Sequence, residues 1–274
     1  MYGGKSGKSE RKPVTVSRLG RMKADGEPIA CLTAYDFSFA RVEDDAGVDV
    51  MLVGDSLGNV MQGRETTIPV TVDEIVYHTR CVAAARRHAL VMADMPFMSY
   101  TDVATALGNA ARLMKEGGAQ MVKLEGAGDQ ADIVAALSRS GVPVCAHLGL
   151  QPQLVHKVGG YRIQGREPEA ADAMVEDAQR LEAAGADLLL VECIPGTLGD
   201  RLARELAIPV IGIGAGAGCD GQILVVQDML GITPGRPPKF SRNFMPEAET
   251  IPEAVATYVA EVKARSFPGD AHTF

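Results

Sequence analysis

Short apolar runs that end in an acidic residue recur along this chain and constrain its fold more than any other feature. They are VMLVGD from Val50, LVMAD from Leu90, MVKLE from Met121 and LLLVE from Leu188. Each run is apolar on both alternations, which is typical of a parallel strand buried on both faces. A carboxylate is costly to bury, and parallel α/β folds gather their active sites at the carboxyl ends of the strands. The pattern therefore predicts an acidic active site at that edge of a parallel sheet.

Eight candidate strands alternate with segments of helical pattern, which is typical of repeated βα units. The strands begin at Ile29, Val48, Leu90, Met121, Pro143, Leu188, Pro209 and Ile223. A capping box at Thr71–Glu74 opens a helix that runs to His88, and further helices are predicted over 101–117, 167–184 and 198–207. These units predict an α/β fold with a single (β/α)8 TIM-type barrel, for which 274 residues is a suitable length.

The ends of the chain are expected to add elements to this barrel. Residues 1–13 are rich in Gly, Ser and Lys and are predicted to form a disordered tail, which leaves 14–274 as the barrel catalytic domain. We expect extra N-terminal and C-terminal helices. The stretch 246–264 contains an amphipathic helix with a face of valines, which could close the barrel or form an oligomer contact. The segment 220–230 fits either strand eight or a helix.

The charge of the chain excludes one class of partner. The net charge of −8 and the pI near 5.2 argue against nucleic-acid binding, which needs a basic face, and favour a small polar substrate. The sequence has no signal-peptide pattern and no apolar run near the roughly 18 residues of a membrane span, so we expect a cytoplasmic protein that does not bind a membrane. The five cysteines lack C-x-x-C spacing, and we expect buried free thiols.

Two aspartates follow neighbouring candidate strands, and their carboxylates are expected at one barrel mouth. Asp55 and Asp94 would repel each other there unless a cation lies between them. Mg²⁺ accepts one or two carboxylates and keeps other positions for water or substrate, so the pair predicts a magnesium site. Asp is also favoured at helix N-caps, which is the structural alternative for either residue alone.

A lysine and a glutamate share one face of the fourth strand. Lys123 and Glu125 lie two residues apart, so both would point to the barrel mouth if that face is the interior. An ammonium beside carboxylates suits an anionic substrate next to a metal. The alternative is a structural ion pair.

The sixth strand ends at Glu192 after an aliphatic run. Desolvation there is expected to raise the pKa of this carboxyl toward the range of a general base, unless a nearby Arg pairs with it. His147, near the end of strand five, is expected either to bind substrate, to orient a carboxylate, or to be a satisfied core histidine.

Two glycine-rich segments lie near the expected mouth. The stretch GIGAGAGCDG from Gly212 contains G-x-G-x-x-G, but no convincing helix and acidic residue follow, so we expect glycines that allow close approach of a ligand rather than a dinucleotide site. The stretch VGGYRIQGRE from Val158 is interpreted as a lid or as an ordinary exposed loop.

Many distinctive strings follow one another along the chain. They include LTAYDFSFA from Leu32, VMLVGDSLGNVMQG from Val50, ADMPFMSY from Ala93, MVKLEG from Met121, VCAHLGLQPQ from Val144, GGYRIQGR from Gly159, IPVIGIGAG from Ile208 and DGQILVVQDMLGI from Asp220. In this order they resemble the ketopantoate hydroxymethyltransferase family over nearly the whole chain beyond the first dozen residues.

The resemblance implies a reaction and its cofactors. Members transfer a hydroxymethyl group from 5,10-methylenetetrahydrofolate to 3-methyl-2-oxobutanoate, giving 2-dehydropantoate through a Mg-stabilised enolate in the first step of pantothenate biosynthesis. The resemblance also implies one Mg²⁺ per subunit and a homo-oligomer, expected to be a homodecamer.

The same resemblance assigns roles to residues of this chain. Asp55 and Asp94 match the metal carboxylates, and Glu125 matches a third acid of the metal site that acts through water. Ser56 and Lys123 match positions that contact substrate, beside the two aspartates and His147. Glu192 matches the catalytic base.

Other functions fit parts of the same pattern. A Mg-dependent keto-acid lyase or mutase of the phosphoenolpyruvate/pyruvate type would share the barrel and the metal but not the folate. A Schiff-base aldolase would use Lys123 as nucleophile. A barrel that only senses a ligand would show no turnover.

Overall fold

Eight parallel strands close into a barrel in the part of the chain that the computed structural model describes, residues 11–160 and 162–274. The strands are β1 Ile29–Thr33, β2 Val50–Val53, β3 Leu90–Asp94, β4 Met121–Glu125, β5 Val144–Gly149, β6 Leu188–Glu192, β7 Val210–Ile213 and β8 Gly221–Leu224. Each strand pairs with its neighbour in sequence, and β8 pairs with β1. The predicted (β/α)8 barrel is confirmed.

Helices surround the barrel before β1, after β8 and between all successive strands except β7 and β8 in the described chain. Their bounds are α1 Val16–Ala24, α2 Phe37–Ala46, α3 Leu57–Val60, α4 Val72–Ala85, α5 Val103–Lys115, α6 Ala131–Arg139, α7 Val155–Val158, α8 Pro168–Ala183, α9 Gly196–Glu205, α10 Val226–Met229 and α11 Ile251–Lys263. The capping box of Thr71 and Glu74 is present. Several predicted helix bounds were wrong by up to three residues. Helix α4 ends at Ala85 and α9 at Glu205, because Arg86 and Leu206 adopt extended backbone. Helix α5 is shorter than predicted at both ends, and α9 begins earlier, at Gly196.

The ambiguous segment 220–230 contains both of the predicted elements. Strand β8 covers Gly221–Leu224 and helix α10 begins two residues later. A Cβ at Gly221 would lie 2.4 Å from the Ile29 carbonyl oxygen, so only glycine lets β8 approach β1 this closely.

The extra terminal helices leave the carboxyl ends of the strands open. Helix α1 lies at the opposite end, where the Val14 N–H donates to the His88 carbonyl and Lys23 pairs with Asp220 at 2.8 Å. Helix α11 packs its apolar face on α2 and β1. Its Tyr258 hydroxyl donates to the Cys31 carbonyl at 2.7 Å, so this helix covers the side of the barrel.

The remaining expectations concern the tail, the thiols and the membrane. Residues 1–10 of the predicted tail and Tyr161 of the predicted lid lie outside the described residues. Arg11 donates to the Val48 carbonyl at 2.7 Å and to Asp49 at 2.9 Å.

The five cysteines are free, and all but Cys81 are buried. Within the described ranges, every helix is too short or too polar to span a bilayer.

Candidate active site

One cavity of about 160 Å³ at the carboxyl ends of the strands brings the predicted residues together. It is lined by Asp55, Ser56, Asp94, Lys123, Glu125, His147 and Glu192, among others. The fold explains their convergence, because carboxyl ends of parallel strands meet at one rim. Asp94, Glu125 and Glu192 are the last residues of β3, β4 and β6.

Asp55, Asp94 and Lys123 form a tight buried group. The Asp55 N–H donates to Asp94 Oδ2 at 2.9 Å, and Lys123 Nζ donates to Asp94 Oδ1. Burial and the neighbouring carboxylates raise the pKa of Asp55 well above its usual range, and burial also raises the pKa of Asp94 against the opposing charge of Lys123. Although burial opposes it, the three nearby carboxylates raise the pKa of Lys123, so this side chain stays an ammonium.

The chemistry of this group fits a hard divalent cation. Two buried carboxylates that repel each other are the oxygen donors that Mg²⁺ uses, with water or substrate at the other positions. Among the described residues, no three Asp, Glu, His or Cys side chains are arranged to ligate one ion directly. The fitting donor set is therefore the Asp55–Asp94 pair, and Lys123 supplies a positive charge in contact with Asp94 in this structure.

His147 lies between two glutamates. Its Nδ1 is 3.6 Å from Glu125 Oε1, and its Nε2 is 3.5 Å from Glu192 Oε2. Burial favours the neutral ring, but the two carboxylates outweigh it and raise the pKa of His147 to about 9. The imidazole is thus charged at neutral pH and holds a row of alternating charges across β4, β5 and β6.

The surroundings of Glu192 are more polar than its aliphatic strand suggests. Its neighbour is His147 rather than an arginine, because the adjacent strand β5 points that ring into the same cavity. The Glu192 side chain is 15% exposed, whereas those of Glu125, Asp94 and His147 are 2% exposed. Among these groups, Glu192 is therefore the most accessible to a substrate.

Gln153 is a site residue that sequence reasoning missed. It is buried, and its side-chain amide donates to Asp55 Oδ2 at 2.9 Å and to the Met95 carbonyl at 3.1 Å. Its backbone N–H donates to Glu125 Oε2 at 3.0 Å, while the Tyr100 hydroxyl donates to the side-chain oxygen Oε1 of Gln153 at 2.5 Å. One glutamine thus fixes two of the carboxylates. It lies in a turn after β5, and no local pattern distinguishes it from an exposed loop residue.

The predicted lid and the glycine cluster both lie beside this cavity. The Gln164 N–H donates to the Cys193 carbonyl at 2.9 Å, which ties the predicted lid to the residue that follows Glu192. At Gly214 a Cβ would lie 2.9 Å from the Phe274 ring and 3.1 Å from Phe240. The groups that lie close to this glycine are therefore aromatic side chains of the same chain, whereas the sequence led us to expect a ligand there.

The fold and the cavity define a barrel enzyme whose active site sets buried carboxylates against an ammonium and an imidazolium. The family model for ketopantoate hydroxymethyltransferase matches residues 13–270. The chain therefore belongs to the ketopantoate hydroxymethyltransferase family, and the resemblance seen in the sequence is confirmed.

Relatives agree with this assignment, and a solved structure shares the fold. The chain is 69% identical over 264 residues to the 3-methyl-2-oxobutanoate hydroxymethyltransferase of Alkalilimnicola ehrlichii, covering 96% of this chain and 95% of that one. Identity to the enzyme of the same name from Halorhodospira halophila is 60% over 261 residues, with 95% and 94% covered. A phosphoenolpyruvate phosphomutase from Streptomyces platensis subsp. rosaceus shares the fold alone, with a TM-score of 0.60, 16% identity and 79% and 83% covered.

Proposed function

We propose that this enzyme transfers the hydroxymethyl group from 5,10-methylenetetrahydrofolate to 3-methyl-2-oxobutanoate and forms 2-dehydropantoate with the help of Mg²⁺. The observation that carries the proposal is the arrangement of Asp55, Asp94 and Lys123 in one cavity with Glu192. The Lys123 ammonium and the carboxylates of Asp55 and Asp94 lie in one part of the cavity. The accessible carboxylate of Glu192 lies two strands further round the barrel from Lys123.

The keto acid would bind through its carboxylate and its 2-oxo oxygen. Lys123 supplies a fixed positive charge at that end, and the Ser56 hydroxyl, held by Tyr35 at 2.8 Å, lies in the same cavity. A cation held by Asp55 and Asp94, with Glu125 acting through water, would add positive charge against the oxygen where negative charge develops.

Glu192 would remove the proton from carbon 3 of the keto acid. Its carboxylate is the accessible one, and the charged His147 ring lies 3.5 Å from it. Water adds to the methylene carbon of the donor and breaks one of its two carbon–nitrogen bonds, leaving a hydroxymethyl group on the other nitrogen. Carbon 3 then bonds to that carbon as the second carbon–nitrogen bond breaks. The released nitrogen takes the proton from Glu192, and tetrahydrofolate leaves.

A direct assay tests this proposal. The protein is incubated with 3-methyl-2-oxobutanoate, methylenetetrahydrofolate and Mg²⁺, and 2-dehydropantoate is measured by mass spectrometry. We expect product that is lost in EDTA and restored by added Mg²⁺. A complete mixture that yields no 2-dehydropantoate would overturn the proposal.

The rival chemistries have less support. The lyase or mutase alternative rests on fold likeness to proteins such as phosphonopyruvate hydrolase, which is 12% identical, with a TM-score of 0.59. Keto-acid cleavage without folate would favour it. The Schiff-base alternative needs a neutral amine, whereas contact with Asp94 keeps Lys123 charged.

We also propose that residues 14–274 act as one catalytic domain and that copies of the chain assemble into a homodecamer. Large apolar side chains on the surface support assembly, since Phe37, Tyr77 and Met98 are 51%, 62% and 64% exposed. Sedimentation velocity measures the mass directly, and a monomer at micromolar concentration would contradict assembly.

A further inference from the structure

A second, larger cavity adjoins the catalytic one. Its volume is about 730 Å³, and it shares Glu192 and Phe240 with the wall of the smaller cavity. A ligand in the larger cavity would therefore reach the same carboxylate that faces the keto acid. Part of its wall comes from the predicted lid segment, through Arg162, Ile163 and Arg166.

The rim of this second cavity is strongly cationic. Among the described lining residues, four are basic and one is acidic: Arg162, Arg166, Arg236 and Lys239 against Glu192. All four basic side chains are exposed. Within the described part of the chain, the three arginines have no ion-pair partner, so their guanidinium groups remain available to an anionic ligand.

The wall of the second cavity also has an apolar portion. Leu150, Ile163, Pro238, Phe240 and Phe274 contribute to it, and Phe240 reaches into the catalytic cavity. Lys239 Nζ lies 4.9 Å from the centre of the Phe274 ring, where it stabilises that ring by a cation–π contact. The cavity thus offers aromatic surface near Glu192 together with positive charge at the rim.

A third cavity of similar size has the opposite charge. Its volume is about 720 Å³, and its described lining includes Asp102, Asp129, Asp132 and Glu125, with Lys157 as the basic residue. A ligand that carries several carboxylates would be repelled there and attracted to the arginine rim. Charge therefore distinguishes the two large cavities that adjoin the site.

We infer that the arginine-rimmed cavity binds the folate donor, with the ring system against Phe240 and Phe274 and the glutamate carboxylates on Arg162, Arg166 and Arg236. This inference rests on the proposed function, because that function requires an aromatic polycarboxylate beside Glu192. Planar guanidinium groups bind carboxylates in two-point contacts, which suits this tail.

Binding of tetrahydrofolate to a variant with all three arginines replaced by glutamine tests the inference. We expect the dissociation constant measured by calorimetry to rise about tenfold or more, and the KM for methylenetetrahydrofolate to rise in parallel. Tetrahydropteroate, which lacks the glutamate, should bind the wild type and the variant equally. The matched control replaces Arg21, Arg139 and Arg204 with glutamine. These arginines are exposed on α1, α6 and α9, and their replacement should leave the affinity for tetrahydrofolate unchanged.

A second readout separates this inference from the proposed function. Exchange of the carbon-3 proton of 3-methyl-2-oxobutanoate in D₂O needs no folate, so the triple variant should exchange at the wild-type rate. If the wild type binds tetrahydrofolate and the triple variant binds it equally well, the inference is wrong. If the wild type forms no 2-dehydropantoate, the proposed function fails instead.

Discussion

Glu192 differs from the other carboxylates of the site in what surrounds it. Asp55 and Glu125 are fixed by Gln153, and Asp94 is fixed by Lys123, whereas Glu192 lies 3.5 Å from His147 and keeps solvent access. A base must reach substrate with a free oxygen. This difference is the residue-level reason to separate Glu192 from the metal-binding acids.

Replacing Glu192 with Gln should stop exchange of the carbon-3 proton while Mg²⁺-dependent binding of 3-methyl-2-oxobutanoate persists, because the amide keeps the shape but cannot accept a proton. We expect a rate loss of about 10²–10⁴-fold, measured by proton NMR in D₂O. Replacement of the exposed Glu249 by Gln is the control. If exchange continues at the wild-type rate, the base is another group, and His147 is the next to test.

A second glutamate is buried on a helix outside the barrel. Glu43 in α2 is fully buried, and neither of its carboxylate oxygens has a hydrogen-bond partner among the described residues. Burial, and to a smaller extent Asp36, raise the pKa of this carboxyl well above its usual range. The folded protein therefore keeps this carboxyl protonated to a higher pH than the unfolded chain, in which it ionises above about pH 4.3.

This difference predicts that Glu43 destabilises the fold as pH rises. The folded pKa exceeds the unfolded one, so the stabilising contribution is complete below the unfolded pKa and is lost as pH rises toward the folded pKa. Relative to Glu43→Gln, the free energy of unfolding should fall between pH 5 and 7, by at most about 1.4 kcal/mol per pH unit. Urea unfolding of the wild type and of the Glu43→Gln variant at several pH values measures this difference in the free energy of unfolding. A constant difference across that range contradicts the assignment.

At the scale of elements, the turn after β5 joins three other strands. Gln153 lies in this turn and binds Asp55 after β2, the Met95 carbonyl after β3 and Glu125 at the end of β4. A single short segment therefore holds the acidic half of the site in place.

Replacing Gln153 with Met should loosen this half of the site without touching Glu192. Loss of a side chain that hydrogen-bonds a metal-binding carboxylate weakens metal binding by about 10–100-fold, so the Mg²⁺ concentration that supports keto-acid binding should rise by that factor. The exposed Gln179 replaced by Met serves as the control. Metal dependence equal to that of the wild type would show that Gln153 has only a structural role.

The elements differ in how far the sequence predicts them. The strands and their acidic ends follow from periodicity, which is a local property, and the rim of a parallel barrel then brings Asp94, Glu125 and Glu192 together. The contact of His147 with both glutamates depends on the register of three strands, and the position of Gln153 depends on a turn that folds back. Neither arrangement leaves a local pattern.

At the scale of the whole molecule, the barrel closes with its acidic rim already paired. Lys123 offsets part of the repulsion between Asp55 and Asp94, so we expect folding not to require a metal. We expect the Tm of the wild type to change little between EDTA and millimolar Mg²⁺.

Replacing Lys123 with Met should make stability depend on metal. Removing one partner of a buried charge pair costs about 3–5 kcal/mol, and Mg²⁺ should restore part of it. Differential scanning fluorimetry with and without Mg²⁺ measures the increment in Tm, and replacement of the exposed Lys157 by Met is the control. If Mg²⁺ raises the Tm of the Lys123 variant and of the wild type equally, Lys123 does not take the place of a metal at the rim.

The contact between Lys123 and Asp94 also couples two binding events. The ammonium can leave Asp94 at low cost only when another anion receives it, and the carboxylate of the keto acid is such an anion. Substrate would thereby free the aspartate for the cation, and the cation would free the lysine for substrate. By thermodynamic reciprocity, bound substrate must raise the affinity for the cation by the same factor as bound cation raises the affinity for substrate. The dissociation constant of either ligand therefore depends on the concentration of the other.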